Sequence, residues 1–580
     1  MKIFISYKLF FYLIIFPLVF NTPTLAQNPK QSLINVSKIT SWVTEEGFHN
    51  WIISDNSFNG SYPNGLPIGV IFSEGICWGG LVYDGQNQKV RVNGNTFGTG
   101  CSPITRLFRV RTDYYKVDLI NDAASFFNKN KNEVTEEEIN QIYNQYEKDW
   151  NEWPADKGAP YYDIDKDGKY NPDIDVPGVP GALQTLWICY NDDISELNYG
   201  SIPIGLEVQE THWAYTNLDP LGNVIYRKID LIYKGTSNSL PNSQIDSMYI
   251  CQWSDIDLGT PNDDFIGCDT MLNLGYVYNS KDPDTKYEKF GLVPPAVGYS
   301  ILQGVSNYTS NYSDSAIFNF RWKRGYKYFN SKPLYVAILT RTGGCFADPQ
   351  YNYNGTLEFY NLMSGYLPVP RYPDRRLGCE FIGYGTYMLP GDPVIGTGQI
   401  DGITDGPGDR RMWLMNGPFS MNLGDTAEVV IPLIAGMGDN HLASITELRN
   451  NTSAANTFYN YFVEEMTAGT IQVAPPDRMS PILPTEYILY QNYPNPFNSY
   501  TRFNFEQPKD AHVSLIVYNM LGEKIAVVID EFLLAGSHKV TSDFKGLASG
   551  VYLARIKFEN EDSNKATDKL TKSLKLILLK

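Results

Sequence analysis

The sequence predicts a mainly β, multidomain chain of antiparallel β-sandwiches with a few accessory helices. Three observations predict it. At 580 residues the chain exceeds what one hydrophobic core organises, since domains of roughly 100–200 residues are usual. Its 41 Tyr, 48 Gly and 35 Pro suit half-buried strands joined by many turns, more than helical bundles. Short runs rich in Val, Ile, Trp and Tyr recur between glycine turns along most of the length.

Residues 1–26 have the three parts of a signal peptide. Lys2 and Lys8 give the basic start, Leu9 to Phe20 is almost wholly apolar, and Thr24-Leu25-Ala26 offers a cleavage site before Gln27. The apolar run is shorter than the roughly 20 residues that span a bilayer, and Pro17 and Pro23 interrupt the region. No cysteine follows it, so a lipoprotein anchor is not supported, and the mature chain is expected to carry no transmembrane segment.

Residues 27–148 read as an N-terminal β-rich region, clearest in GVIFSEGICWGGLVYDG (Gly69 to Gly85) and KVRVNG (Lys89 to Gly94). A short helix closes it. Thr135 and Glu138 stand in capping-box spacing, and Ile139, Ile142, Tyr143 and Tyr146 form one apolar stripe. Residues 149–181 are too rich in Asp, Gly and Pro for regular structure. Residues 182–343 read as a β-sandwich, with strands in NVIYRKIDLIYKG, DSMYICQWSDIDLG and KPLYVAILTRTG. Residues 344–470 combine glycine-rich connections, the strand AEVVIPLIAG and a helix carrying Leu442, Ile445, Leu448, Ala454, Phe458 and Phe462. Residues 471–485 form a stiff Pro-rich linker.

The last unit, 486–580, alternates polar and apolar residues in TRFNF, HVSLIVY, KIAVVI, HKVTSDF, VYLARIKF and LKLILL, the pattern of a small antiparallel sandwich. Within it, YQNYPNPFN (Tyr490 to Asn498), TRFNF, VYNMLGEKI, LASGVYLARI and the closing Lys580 resemble, in order and spacing, the type A sorting domain of the type IX secretion system. That resemblance implies an immunoglobulin-like sandwich recognised by the secretion machinery, and passage of the folded protein across the outer membrane. It further implies a secreted or outer-surface location, and in many relatives removal of the domain with attachment to surface lipopolysaccharide. Two departures are modest: Ser499 stands where proline is usual, and Asp543-Phe544 replaces Trp-Asp. In GAPYYDIDKDGKYNPDIDVPG, QTLWICYND, SDIDLGTPNDDFIGCDTMLNLGYVYN and MNGPFSMNLGDTAEVVIPLIAGMGDN the body, over residues 36 to 465, resembles large exported proteins that accompany this signal in Bacteroidota and Ignavibacteria, a resemblance that supplies no activity.

A net charge of -17 without a basic stripe argues against nucleic acid as partner and leaves carboxylates free to hold a hard cation. The sharpest cluster is DIDKDGKYNPDID. Asp163, Asp165 and Asp167 alternate, Gly168 permits a tight turn, the Lys169 carbonyl offers an oxygen, and Asn171, Asp173 and Asp175 follow. It is similar to the calcium loops of EF-hands and type 3 thrombospondin repeats, although Ile174 holds the twelfth position, where an EF-hand has Glu. Structural Ca2+ is the first reading, a solvated acidic turn the alternative. A second cluster comprises Asp255, Asp257, Asp263, Asp264 and Asp269. Asp255 and Asp257 share one face of a strand end, and a Gly-Thr-Pro turn is placed to return Asp263 and Asp264 toward them. Asp401, Asp405 and Asp409 form a weaker third set in a glycine-rich loop.

The seven cysteines include no C-x-x-C pair; Cys77–Cys101 and Cys251–Cys268 are the nearest candidates for disulfides in sequence. H-E-x-x-H, G-x-S-x-G and phosphate-loop motifs are all absent. His212 and His441 read as structural or surface residues, and Trp213 and Trp253 as packing residues, with a sugar platform the alternative. The reading is a non-enzymatic exported protein for adhesion, matrix or polymer binding, with calcium-stabilised loops and an unknown extracellular polymer or protein ligand. An extracellular hydrolase and a structural envelope component are the alternatives.

Overall fold

The computed structural model describes residues 30–52, 57–58, 60–96, 98–194, 199–328, 348–369, 371–373, 388–403, 406–473, 486–509, 511–533, 536–559 and 569–580. The signal peptide, the strand expected in KPLYVAILTRTG and most of the Pro-rich linker lie outside the described residues.

The body is a mainly antiparallel sandwich. One sheet of five strands runs in the order Arg411–Asn422, Gln244–Asp255, Ser73–Tyr83 and Phe48–His49, with Val90–Gly94 also paired to Ser73–Tyr83. A larger, twelve-stranded sheet takes strands from Ser102 through Gly436, including Gln184–Asn191, Leu206–Ala214, Val224–Tyr233 and Thr426–Val430. Their facing sides share one core. Ile76, Trp78, Ile250 and Leu414 from the small sheet meet Ile188, Val208, Ile229 and Val297 from the large one. Trp213 and Trp253 are fully buried, as packing residues are.

Two helices cover much of the outer face of the large sheet. The first, Glu136–Asn151, begins where its capping box requires: the Glu138 N–H donates to the Thr135 hydroxyl at 3.2 Å, and the Thr135 N–H to the Glu138 carboxylate at 2.9 Å. It buries Ile142, Tyr146 and Trp150 in a cluster with Phe108 and Trp187. The second, His441–Ala468, is capped by Asn440 and buries Ile445, Leu448, Ala455, Tyr459 and Phe462. The expected stripe holds at Ile445, Leu448 and Phe462 and moves by one residue between them, to Ala455 and Tyr459 from Ala454 and Phe458. A further helix, Tyr353–Met363, lies where only glycine-rich connection was expected. The Asn352 side chain accepts from the N–H groups of Asn354 and Gly355, and Phe359 packs on Trp413.

The C-terminal unit is two antiparallel sheets around its own core. One contains Ile488–Leu489, Tyr500–Gln507 and Gly536–Asp543; the other contains Lys524–Leu533, Ala511–Tyr518, Gly550–Glu559 and Lys569–Leu578. Val513, Leu515 and Val517 alternate into that core and meet Phe503 and Phe505 from the other sheet. The pairing supports a two-sheet sandwich and goes no further toward the immunoglobulin-like form expected from the sequence. Both departures from the sorting pattern fit locally. Ser499 adopts φ +67°, which a proline ring forbids, and Phe544 is buried against Phe497 with ring centroids 5.6 Å apart.

Candidate cation sites

Strand pairing builds the most demanding site. Asp255 ends its strand directly opposite Arg411 in the antiparallel ladder. Two residues on from Asp255 and two back from Arg411, Asp257 and Asp409 therefore meet at the same corner. One carboxylate oxygen from each of Asp255, Asp257 and Asp409 lies within 4.8 Å of the other two. In all three the Oδ1 atom is buried and receives no hydrogen bond. The cation in contact with the corner is the Arg411 guanidinium, and Lys286 adds a weaker pull on Asp257 from further away. Arg411 reaches Asp409 at 2.8 Å and both Asp255 and Asp348 at 3.4 Å. Burial pushes the Asp255 carboxyl up to about 8, with Arg411 opposing and Asp257 adding repulsion. Burial and then Asp409 push Asp257 up to about 6. Asp264 is wholly buried; its Oδ2 accepts the Leu258 N–H at 3.1 Å while its Oδ1 has no donor. Burial raises it well above the usual range, and the nearby Asp257 and Asp263 add to this.

Two residues expected at this corner face elsewhere. Asp263 accepts from the Asn279 amide at 2.9 Å, and Asp269 pairs with Arg449 at 3.1 Å while capping its own turn. The third sequence set divides: Asp401 pairs with Arg410 and accepts the Ile266 N–H, Asp409 joins Asp255, and Asp405 lies outside the described residues.

In the 163–175 loop the structure brings together Asp163, Asp165 and Asp175, each offering one oxygen within 4.8 Å of the others. Gly168 turns the chain at φ +77°. Asp175 is buried and ties the loop ends, accepting the N–H groups of Ile164 at 2.9 Å and Asn171 at 2.8 Å. Asp163 accepts the Gly168 N–H at 2.9 Å through one oxygen, and its other oxygen has no partner. Asp167 and Asn171 cap the turns at Lys169 and Asp173 instead of joining the group, and the Lys169 and Asp173 side chains are exposed. The Trp150 indole donates to the Pro172 carbonyl at 3.0 Å, anchoring the loop to the Glu136–Asn151 helix.

A third constellation, His49, Glu210 and His212, was not legible as a unit in the sequence. It is fully buried between the sheets. Both imidazole Nε2 atoms meet Glu210 Oε2, at 3.0 and 2.8 Å, and the Tyr190 hydroxyl donates to Oε1 at 2.6 Å. Arg227 continues the lattice to Glu74 and Gln252. Burial, and then Arg227, push His212 down to about 4, so it is a neutral donor. A metal on the two Nε2 atoms would leave both Nδ1–H groups buried, where no acceptor reaches them, and would sit beside the Arg227 cation. This group fits a structural lattice, and a metal fits it poorly.

Along the Val224–Tyr233 strand, Ile229 and Leu231 face the core, so Lys228 and Asp230 face outward. There a cleft of about 490 Å3 is lined by Lys157, Gln209, Lys228, Asp230, Phe318 and Glu428, among others. Lys228 is held by Asp230 at 2.7 Å and Glu428 at 3.3 Å. Asp230 Oδ1 is buried without a donor, and burial raises this carboxyl to about 6 against the pull of Lys228. Phe318 stacks on Tyr326, centroids 4.5 Å apart, at the cleft wall.

Residues 491–572 match the family model of the secretion system C-terminal sorting domain. The chain therefore carries the mark of type IX export, and its place is outside the cell, secreted or at the outer surface. No helix among the described residues is long and apolar enough to cross a membrane. No curated protein matches the chain. Among solved structures, a polysaccharide lyase aligns at 7% identity and TM-score 0.18, over 65% of this chain and 34% of its own. The adhesin domain of Epf from Streptococcus pyogenes aligns at 8% identity and TM-score 0.12, over 70% and 92%. Dimeric latent PorU from Porphyromonas gingivalis aligns at 9% identity and TM-score 0.14, over 69% and 32%. The chain thus spans about a third of the lyase and of PorU, and similarities at these scores carry no argument about fold or activity.

Proposed function

We propose that the body is a non-enzymatic, calcium-clamped module that binds an extracellular polymer after export. Attachment to surface lipopolysaccharide or release follows removal of the sorting domain. The observation that carries this reading is the Asp255–Asp257–Asp409 corner, where buried oxygens without donors converge around one arginine. Its ligands are oxygens alone, with no His or Cys, which favours a hard cation. Several carboxylates on irregular loops suit Ca2+ better than the strict octahedron of Mg2+. The Asp163–Asp165–Asp175 loop offers a second, more exposed place for the same ion. The outward cleft supports the binding role. Phe318, at the cleft wall and stacked on Tyr326, offers an aromatic edge for the CH groups of a polysaccharide, and polar lining residues such as Lys157 and Gln209 offer partners for its hydroxyls.

A hydrolase reading has one observation in its favour: Asp255 and Asp257 have carboxyls raised to different levels, as acid–base pairs do. One experiment separates the two. The mature protein from the cell exterior is loaded onto immobilised polysaccharides with Ca2+ and with a chelator, and both thermal stability and soluble reducing ends are followed. Calcium-dependent stabilisation with retention and no cleavage is the expected result. Cleavage, or stability indifferent to calcium, overturns the proposal.

A further inference from the structure

The small sheet sets two thiols side by side in a chain bound for an oxidising exterior. Cys77 lies on the Ser73–Tyr83 strand and Cys251 on Gln244–Asp255, and the antiparallel register places Cys251 directly opposite Cys77. Both side chains leave the same face of the sheet, since both are fully buried in one cluster with Tyr199, Trp253 and Phe359. Directly opposed residues in an antiparallel ladder have Cα atoms about 4.5 or 5.5 Å apart, depending on the kind of pair. Both values fall within the roughly 4.4–6.8 Å that a disulfide spans, so bonding needs only a small approach of the two Cβ atoms.

The pairings nearest in sequence are disfavoured by the same packing. Cys101 and Cys268 belong to the core between the sheets, and the Cys268 thiol donates to the Met388 carbonyl at 3.0 Å. Cys189 packs under the Glu136–Asn151 helix. Among the described cysteines, Cys77 and Cys251 are therefore the pair that the fold itself aligns.

We propose that Cys77 and Cys251 form a cross-strand disulfide, made during folding in the cell envelope by a dithiol–disulfide oxidase. One cysteine thiolate attacks the oxidase disulfide, forming a mixed disulfide and expelling one oxidase thiolate. The second cysteine thiolate then attacks the first cysteine's sulfur, closing the S–S bond and releasing the reduced oxidase. Two thiol protons pass to solvent and two electrons to the oxidase, so the chain is lighter by two hydrogen atoms. Closure precedes completion of the sheet, because neither thiol is exposed afterwards. The bond staples the centre of the small sheet, one strand pairing away from the Asp255 corner, before the protein meets the outer membrane.

The test is cysteine mapping of the full protein collected from outside the cell. It is denatured with an alkylating reagent before any reductant is added, then digested. Cys77 and Cys251 are expected to escape alkylation and appear as one linked peptide pair, while Cys101, Cys189 and Cys268 are alkylated. Reductant is also expected to lower the melting temperature of the natural protein and leave a C77A/C251A variant unmoved. Alkylation of both residues without reductant overturns the proposal, and so does a linkage of either to Cys345 or Cys379. If the double variant does not fold, the mapping alone decides.

Discussion

The lattice of Glu74, Glu210 and Arg227 and the corner of Asp255, Asp257 and Asp409 are both buried in the body, yet their ionisation moves in opposite directions. Burial alone raises a carboxyl. At Glu210 it is overcome by His49, His212 and the hydrogen bonds they donate, and at Glu74 by Arg227 and His49, so both stay ionised. At Asp255 and Asp257 burial prevails, because Arg411 is shared among several carboxylates and Lys286 adds only a weaker pull on Asp257. The difference teaches that buried charge alone does not mark a ligand site; incomplete internal pairing does. The sharpest way to break the comparison is Arg227→Met, which leaves Glu74 and Glu210 buried without their cation. A loss of about 3–5 kcal/mol is expected from the denaturant midpoint, with no rescue by calcium. Rescue by calcium would mean that the lattice, too, is a cation site.

Asp257→Asn sharpens the other side. In chelator the variant should be more stable than the natural protein by about 1–3 kcal/mol, because a carboxylate that ionises against its surroundings is gone. In calcium that advantage should shrink or reverse. A cation at a hundred times its dissociation constant stabilises the natural chain by about 2.7 kcal/mol, and the variant should forgo the share owed to this corner. Asp163→Asn, tested beside it, isolates the share of the loop. An Asp257→Asn protein with an undiminished calcium response would remove the corner from the reading.

How much of this was legible in the sequence follows the same divide. In the C-terminal unit strands such as Ala511–Tyr518 have one buried face, so the period of two is plain in HVSLIVY and the motif spacing adds to it. In the body, Leu206–Ala214 is buried on both faces, and Glu210 and His212 sit within it as core residues. Alternation carries no signal there, so the lattice stayed invisible. The 163–175 loop showed in the sequence because its ligands are local. The corner showed only by half: Asp255 and Asp257 are neighbours, whereas Asp409 arrives through the pairing of two strands more than a hundred residues apart, which one sequence does not disclose. Proximity in the chain groups Asp263 and Asp269 with Asp255 and Asp257, but Asp263 turns to Asn279 and the Asp264–Asp269 strand carries Asp269 away.

Stability against pH separates the two groups by sign. Asp255 and Asp257 have folded pKa values of about 8 and about 6, above the ordinary 3.8. The folded state then binds more protons than the unfolded one between those limits, so their contribution is full below about pH 4 and is lost as pH rises toward 8. His212 is depressed from 6.5 to about 4, so its contribution is full above pH 6.5 and is lost as pH falls toward 4. The two oppose each other between pH 4 and 6.5, and only the aspartates remain from pH 6.5 to 8. In chelator, unfolding free energy is therefore expected to decline across pH 6.5–8. Calcium should flatten or invert that slope, since the ion binds the ionised corner and displaces its proton. A slope that persists unchanged in saturating calcium would assign it to groups other than the corner, and would leave Asp255 and Asp257 as buried acids without a cation.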